Sequence, residues 1–119
     1  MSEKQKLFIV DDSELNRDIL KEILGSSYDY LEAENGTQAI QILEVHPEID
    51  LMLLDINMPQ MNGFQVLEHM RELQWIDEVP VVMISSEESV EIMRKAYDLG
   101  ITDYISRPFD AVIVKKRVQ

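Results

Sequence analysis

Three short apolar runs punctuate the chain, and each stops at a polar residue. Leu7-Phe8-Ile9-Val10 ends at Asp11-Asp12, Leu51-Met52-Leu53-Leu54 at Asp55, and Val81-Val82-Met83-Ile84 at Ser85-Ser86. Tyr30-Leu31-Glu32-Ala33 reads as a weaker strand closed by the turn pair Asn35-Gly36, and Tyr104-Ile105 as a short strand before Arg107-Pro108-Phe109. Helical periods fill the gaps. Leu15, Ile19, Leu20, Ile23 and Leu24 recur at helix spacing, with Gly25 as a stop. Ala39, Ile40 and Leu43 mark a short helix that ends before Pro47. Asn62-Gly63 opens a helix carrying Phe64, Leu67, Met70 and Leu73, and Met93, Ala96 and Tyr97 mark another that stops near Gly100. Asp110 to Gln119 begins a last helix.

Runs that are apolar throughout suit strands covered on both faces. Strands alternating with helices imply βαβ units, a parallel sheet and right-handed crossovers. The expected fold is therefore α/β and doubly wound, with helices on both faces of one sheet. In such sheets the functional crevice lies outside the carboxyl ends of the strands.

The 119 residues are enough for one domain and one core, and residues 1–119 are read as a single unit. No apolar run approaches the roughly 20 residues of a membrane span, and the first six residues lack a signal peptide's apolar stretch. The absence of cysteine excludes disulfides and thiolate metal sites. A cytoplasmic protein is expected. The net charge of −12 opposes direct binding to nucleic acid or to anionic membranes. Most of that charge serves solubility, but part of it can gather around a cation.

The strand ends are where it gathers. The first run delivers Asp11-Asp12, the next long run Asp55 with Asn57 two residues on, then come Ser85 and finally Arg107. Carboxylates a few ångströms apart repel one another and raise a pKa unless a cation is present. Mg²⁺ suits such an all-oxygen site. A carboxylate can also act as nucleophile and form an aspartyl-phosphate, in a reaction that needs mainly positioning and charge stabilisation. Each residue alone has a plainer reading. Asp11-Asp12 can cap a helix, Asp55 can start a loop, Ser85 and Ser86 can cap, Arg107 can be solvated, and Asn62-Gly63 can be a turn. Their joint occurrence at successive strand ends favours chemistry.

Val10-Asp11-Asp12-Ser13, the stretch Leu53 to Gly63 around Asp55, Pro80 to Ser85, and Asp103 to Phe109 together resemble, in order and spacing, the signatures of two-component response-regulator receiver domains. The resemblance covers essentially the whole chain. It implies a flavodoxin-like fold with five parallel strands in the order 2-1-3-4-5, like the chemotaxis regulator. It implies that Asp55 accepts a phosphoryl group from a sensor histidine kinase or phosphotransfer protein. Mg²⁺, with Mn²⁺ as a substitute, would be held directly by Asp12 and Asp55, by the backbone carbonyl of Asn57, and by Asp11 mainly through water. Ser85 would bond the phosphoryl oxygen, and Tyr104 would move inward as Ser85 shifts. Asn57 and Glu87 would set the rate of acyl-phosphate hydrolysis. The face made by the fourth helix, fifth strand and fifth helix would carry the output, including homodimerisation. The family residue before Pro108 is Lys; here it is Arg107, which is longer, planar and bidentate. The Arg107-Pro108 bond is cis by the same analogy.

The receiver would catalyse only its own phosphorylation and dephosphorylation. A degenerate receiver that binds partners without phosphorylation is the rival reading, motivated by Arg107. A haloacid-dehalogenase-type phosphatase needs a second acid where Asn57 stands, and a nucleotide-binding module needs a Gly-rich loop after the first strand. His46 and His69 read as surface residues and the seven Met as core filler. Trp75 fits either a partial core position or a surface contact. The closing segment Asp110 to Gln119 lacks a cap signal, so an output domain is expected to follow in a longer protein.

Overall fold

Each apolar run becomes a strand because both of its faces are covered. The computed structural model describes residues 4–58, 61–85, 90–107 and 109–118. In chain order the elements are β1 (Gln5–Val10), α1 (Glu14–Leu24), β2 (Tyr28–Ala33), α2 (Gly36–Val45), β3 (Leu51–Asp55), α3 (Gly63–Glu72), a 3₁₀ turn (Trp75–Asp77), β4 (Val81–Ser85), α4 (Val90–Asp98), β5 (Asp103–Ser106) and α5 (Ala111–Val118). The strands are all parallel and lie in the order β2-β1-β3-β4-β5.

Alternation along the strands splits the core into two layers. Phe8, Val10, Met52, Leu54, Val81, Met83 and Tyr104 pack with Ala39 and Leu43 of α2, Leu67 and Met70 of α3, and Ala96 of α4. Leu7, Ile9, Leu53, Val82, Ile84 and Ile105 pack on the other face with Leu20 and Leu24 of α1 and Val114 of α5. Burying each large side chain, such as Phe8 or Leu20, contributes about 1.5–3 kcal/mol. Met52, Met70 and Met83 are fully buried, as core filler should be. No helix among the described residues is long and apolar enough to cross a membrane.

The helix ends show where local sequence signals differ from the expectation. Ser13 rather than the acid pair caps α1, its hydroxyl accepting from the Asn16 amide at 3.2 Å. Gly25 ends α1 at φ 83°, a conformation that favours glycine, and its amide donates to the Lys21 carbonyl. Asn35 caps α2 rather than only turning the chain, and β2 begins two residues earlier than expected, at Tyr28. Leu15 shares the helical period but is 68% exposed, and Leu73 lies just past α3 and is exposed. Trp75 is partly buried against the α2–α3–α4 core layer.

Candidate functional site

The sheet register brings the strand ends to one edge. Val10 lies beside Leu54, Asp55 beside Ile84, and Ser85 beside Ser106. Asp11, Asp55 and Ser85 are all completely buried at that edge, while Asp12 is exposed. One carboxylate oxygen from each of Asp11, Asp12 and Asp55 lies within 4.8 Å of the others. Asp11 is fixed at both ends. Its amide donates to the Ala33 carbonyl, and its Oδ1 accepts from the Ser13 amide at 2.9 Å. Asp55 Oδ1 accepts from the Asn57 amide at 3.2 Å.

The guanidinium of Arg107, 96 positions along the chain from Asp11, completes the cluster. Its Nη2 donates to Asp11 Oδ2 and lies 3.2 Å from Asp55 Oδ2. Its backbone amide donates to the Ser85 carbonyl at 3.0 Å, which ties it to the end of β4. Arg107 is thus no solvated surface residue; its side chain is 22% exposed. Among the described residues Asp55 Oδ2 receives no hydrogen bond, because the guanidinium approaches it without directing a hydrogen at it.

Burial dominates the electrostatics. It pushes the Asp55 carboxyl up to about 6, the charge of Asp11 adds to the rise, and Arg107 opposes it. Asp11 is also raised, by burial first, against the Ser13 amide and Arg107. A buried carboxylate oxygen without a donor, set among other acids, suits a hard divalent cation with oxygen ligands.

One structural residue escaped the sequence reading, and another was read only as a turn and helix entry. Arg17 of α1 donates from Nη1 to the Asp11 carbonyl at 2.6 Å and from Nε to Glu32 at 3.0 Å. It braces the Asp11 loop against β2. A basic residue one turn into the helix after an acidic pair was the available signal. Gly63 is the other. A Cβ there would sit 2.6 Å from the Asp55 carbonyl oxygen, so only glycine lets α3 begin against the end of β3. Its amide donates to the Ile56 carbonyl at 3.0 Å.

An acidic cluster at the carboxyl edge of a sheet ordered 2-1-3-4-5 is matched by the family described as response regulator receiver domain, over residues 7–119. The chain belongs to that family. It is 33% identical over 116 residues to chemotaxis protein CheY1 of Helicobacter pylori, covering 96% of this chain and 94% of that one. Its fold is similar to that of the chemotaxis response regulator CheY4 of Vibrio cholerae, with TM-score 0.89, 26% identity and 98% of both chains covered. A two-component system response regulator/GGDEF domain protein gives TM-score 0.88 at 26% identity; 97% of this chain is covered, but only 47% of that longer one.

The receiver fold and its acidic cluster match the expectations from sequence. The other site residues fall as follows. Ser85 closes β4 and is buried. Tyr104 on β5 is 7% exposed and sits in the core layer with Met83 and Ala96. Asn57 is exposed, with its amide on Asp55. Glu87 and the Arg107-Pro108 bond lie outside the described residues. His46 pairs with Glu48 at 2.6 Å, before the amino end of β3, whereas Asp55 closes that strand.

Proposed function

We propose that Asp55 of this receiver domain is its phosphoacceptor and takes the phosphoryl group from a phosphohistidine on a sensor histidine kinase or a phosphotransfer protein. One observation carries the reading: Asp55 Oδ2 is buried, receives no hydrogen bond from the described residues, and lies among two further acids and a guanidinium. An oxygen of Asp55 forms the new bond to phosphorus. The phosphorus–nitrogen bond breaks, and the imidazole nitrogen leaves with its electron pair. Such transfer depends on position and charge more than on further covalent chemistry.

The residues divide that work. Asp12 and Asp55 would hold Mg²⁺ through their side chains, Asn57 through its carbonyl, and Asp11 through water, with Mn²⁺ as a substitute. Bound there, the ion supplies charge neutralisation for the transferring oxygens. Arg107 and the Ser85 hydroxyl meet the phosphoryl oxygens that arrive. The added charge of about −1.5 to −2 draws Ser85 toward the site, and Tyr104 repacks with it. That change alters the face of α4, β5 and α5, through which output and homodimerisation run. Asn57 and Glu87 set the lifetime of the acyl phosphate.

The second reading, a receiver that works without phosphorylation, is favoured by one feature: Arg107 already pairs with two of the pocket's three acids. Intact mass after incubation with acetyl phosphate, with and without Mg²⁺, separates the two. A single phosphoryl adduct that requires Mg²⁺ and is lost in Asp55→Ala supports the acceptor. A folded chain that takes no adduct at any Mg²⁺ concentration leaves the second reading in place.

A further inference from the structure

We propose, building on the reading of the acid cluster as a Mg²⁺ site, that the junction between β2 and α2 is a brace that positions the cluster from two sides. The junction supplies no acid to the cluster. Gly36 is its critical positioning residue.

One side of the brace holds Asp11. The Ala33 carbonyl, at the end of β2, accepts from the Asp11 amide at 3.1 Å. Glu32 beside it accepts from Arg17, whose Nη1 reaches the Asp11 carbonyl. Both main-chain groups of Asp11 are therefore tied to β2, one directly and one through Arg17. The other side holds the β3–α3 connection, residues 56–62, which carries Asn57. Three positions after Ala33, Gly36 opens α2 and is buried. A Cβ added there would strike the Met61 carbonyl oxygen and lie 2.5 Å from Met61 Cβ. Gly36 lacks the positive φ of Gly25 and Gly100. Close approach, rather than backbone conformation, is what calls for glycine here. Met61 itself packs against the α2–α3–α4 core layer, so it has little room to give way.

The junction is stiff. Asn35 Oδ1 accepts from the Gln38 amide at 2.8 Å, and Gln38 Oε1 accepts in return from the Glu34 amide at 3.0 Å. Reciprocal bonds of this kind fix the first turn of a helix. A rigid segment that meets Asp11 at one end and Met61 at the other sets the distance between the end of β1 and the β3–α3 connection. Those two segments carry Asp11, Asp12 and Asn57. Groups that stand behind a metal's ligands orient them, and losing one typically costs roughly 10–100-fold in affinity. A methyl added at Gly36 displaces the junction or the connection, and either movement reaches the ligands.

Calorimetric titration of Mg²⁺ into the 119-residue chain tests this, comparing wild type, Gly36→Ala and Gly25→Ala. Gly25→Ala is the control. Its φ of 83° strains an alanine, but an added Cβ there meets nothing within 4 Å. Mg²⁺ affinity should be about tenfold lower in Gly36→Ala, and unchanged in Gly25→Ala despite its lower melting temperature. A folded Gly36→Ala with wild-type affinity, or an equal loss in Gly25→Ala, overturns the brace. If wild type itself binds no Mg²⁺, the metal reading fails, and the amide resonances of Asp11 and Asn57 in the metal-free chains judge the brace alone. Both should move in Gly36→Ala and stay in Gly25→Ala; unmoved resonances in Gly36→Ala overturn it. Should Gly36→Ala fail to fold, Met61→Gly loosens the same contact from the other side. Lower Mg²⁺ affinity in that variant supports the brace, and wild-type affinity overturns it.

Discussion

Two carboxylates at opposite ends of the sheet are treated in opposite ways. Glu48 lies near the amino ends of β1 and β3 and is exposed. A hydrogen bond with His46 is the main cause that holds its carboxyl down to about 2, with Lys6 adding to the effect. Asp55, at the carboxyl end of β3, is fully buried and is pushed up to about 6, although an arginine sits 3.2 Å away. Both acids have a cationic neighbour; water is what separates them. At the exposed end a charged group is solvated whatever its partners do, and the pairing contributes little to stability. At the buried end one guanidinium does not offset the burial of two carboxylates. The fold thus holds a poorly compensated negative charge at one place, and that place is where an arriving cation or a phosphoryl group can act on it.

The largest expected effect comes from disturbing the wall of the buried end. Gly63→Ala should destabilise the chain by about 3 kcal/mol, because the new methyl meets the Asp55 carbonyl and neither backbone can yield. Urea unfolding measures it. Next, Asp55→Asn should stabilise the metal-free chain by about 2 kcal/mol at pH 7.5, since it removes a charge that folding raises in energy. The sign follows from linkage. An acid whose folded pKa is raised contributes stability below its unfolded value of 3.8, and this is lost as pH rises through about 6. Melting curves in chelator should therefore show wild type and variant converging below about pH 4, diverging as pH rises to about 6, and keeping a constant gap above it. Arg17→Ala should cost about 1.5 kcal/mol, because the Asp11 carbonyl and Glu32 lose a donor they share. Smallest of all, Glu48→Gln should leave the melting temperature unchanged within error. A clear loss there would break the contrast between the two ends.

Much of this was legible in the residues themselves. Leu7 to Val10, Leu51 to Leu54 and Val81 to Ile84 read as strands because helices cover both faces, which makes the runs apolar throughout. Strand β2 was harder. It is the edge strand next to β1, and Tyr28-Asp29-Tyr30 carries polar groups where the inner strands carry none. Leu15 misled because periodicity counts every apolar residue near a helix face, including one at the rim. The three acids were legible because the rule for open parallel sheets says where strand ends converge. Arg107 was named as a site residue, but its grip on Asp11 was not foreseeable. That contact joins residues 96 positions apart and depends on the register of β4 with β5. Arg17 was missed for a similar reason, since its partners Asp11 and Glu32 meet only after β1 and β2 pair.

The central claim is that Asp55, and no other acid of the cluster, carries the phosphoryl group. Borohydride reduces an aspartyl phosphate to homoserine, which marks the acceptor in the chain. The chain is treated with acetyl phosphate and Mg²⁺, reduced, digested, and sequenced by tandem mass spectrometry. The account predicts homoserine at position 55, absent when Mg²⁺ is chelated. Homoserine at Asp11 or Asp12 with Asp55 intact would contradict it.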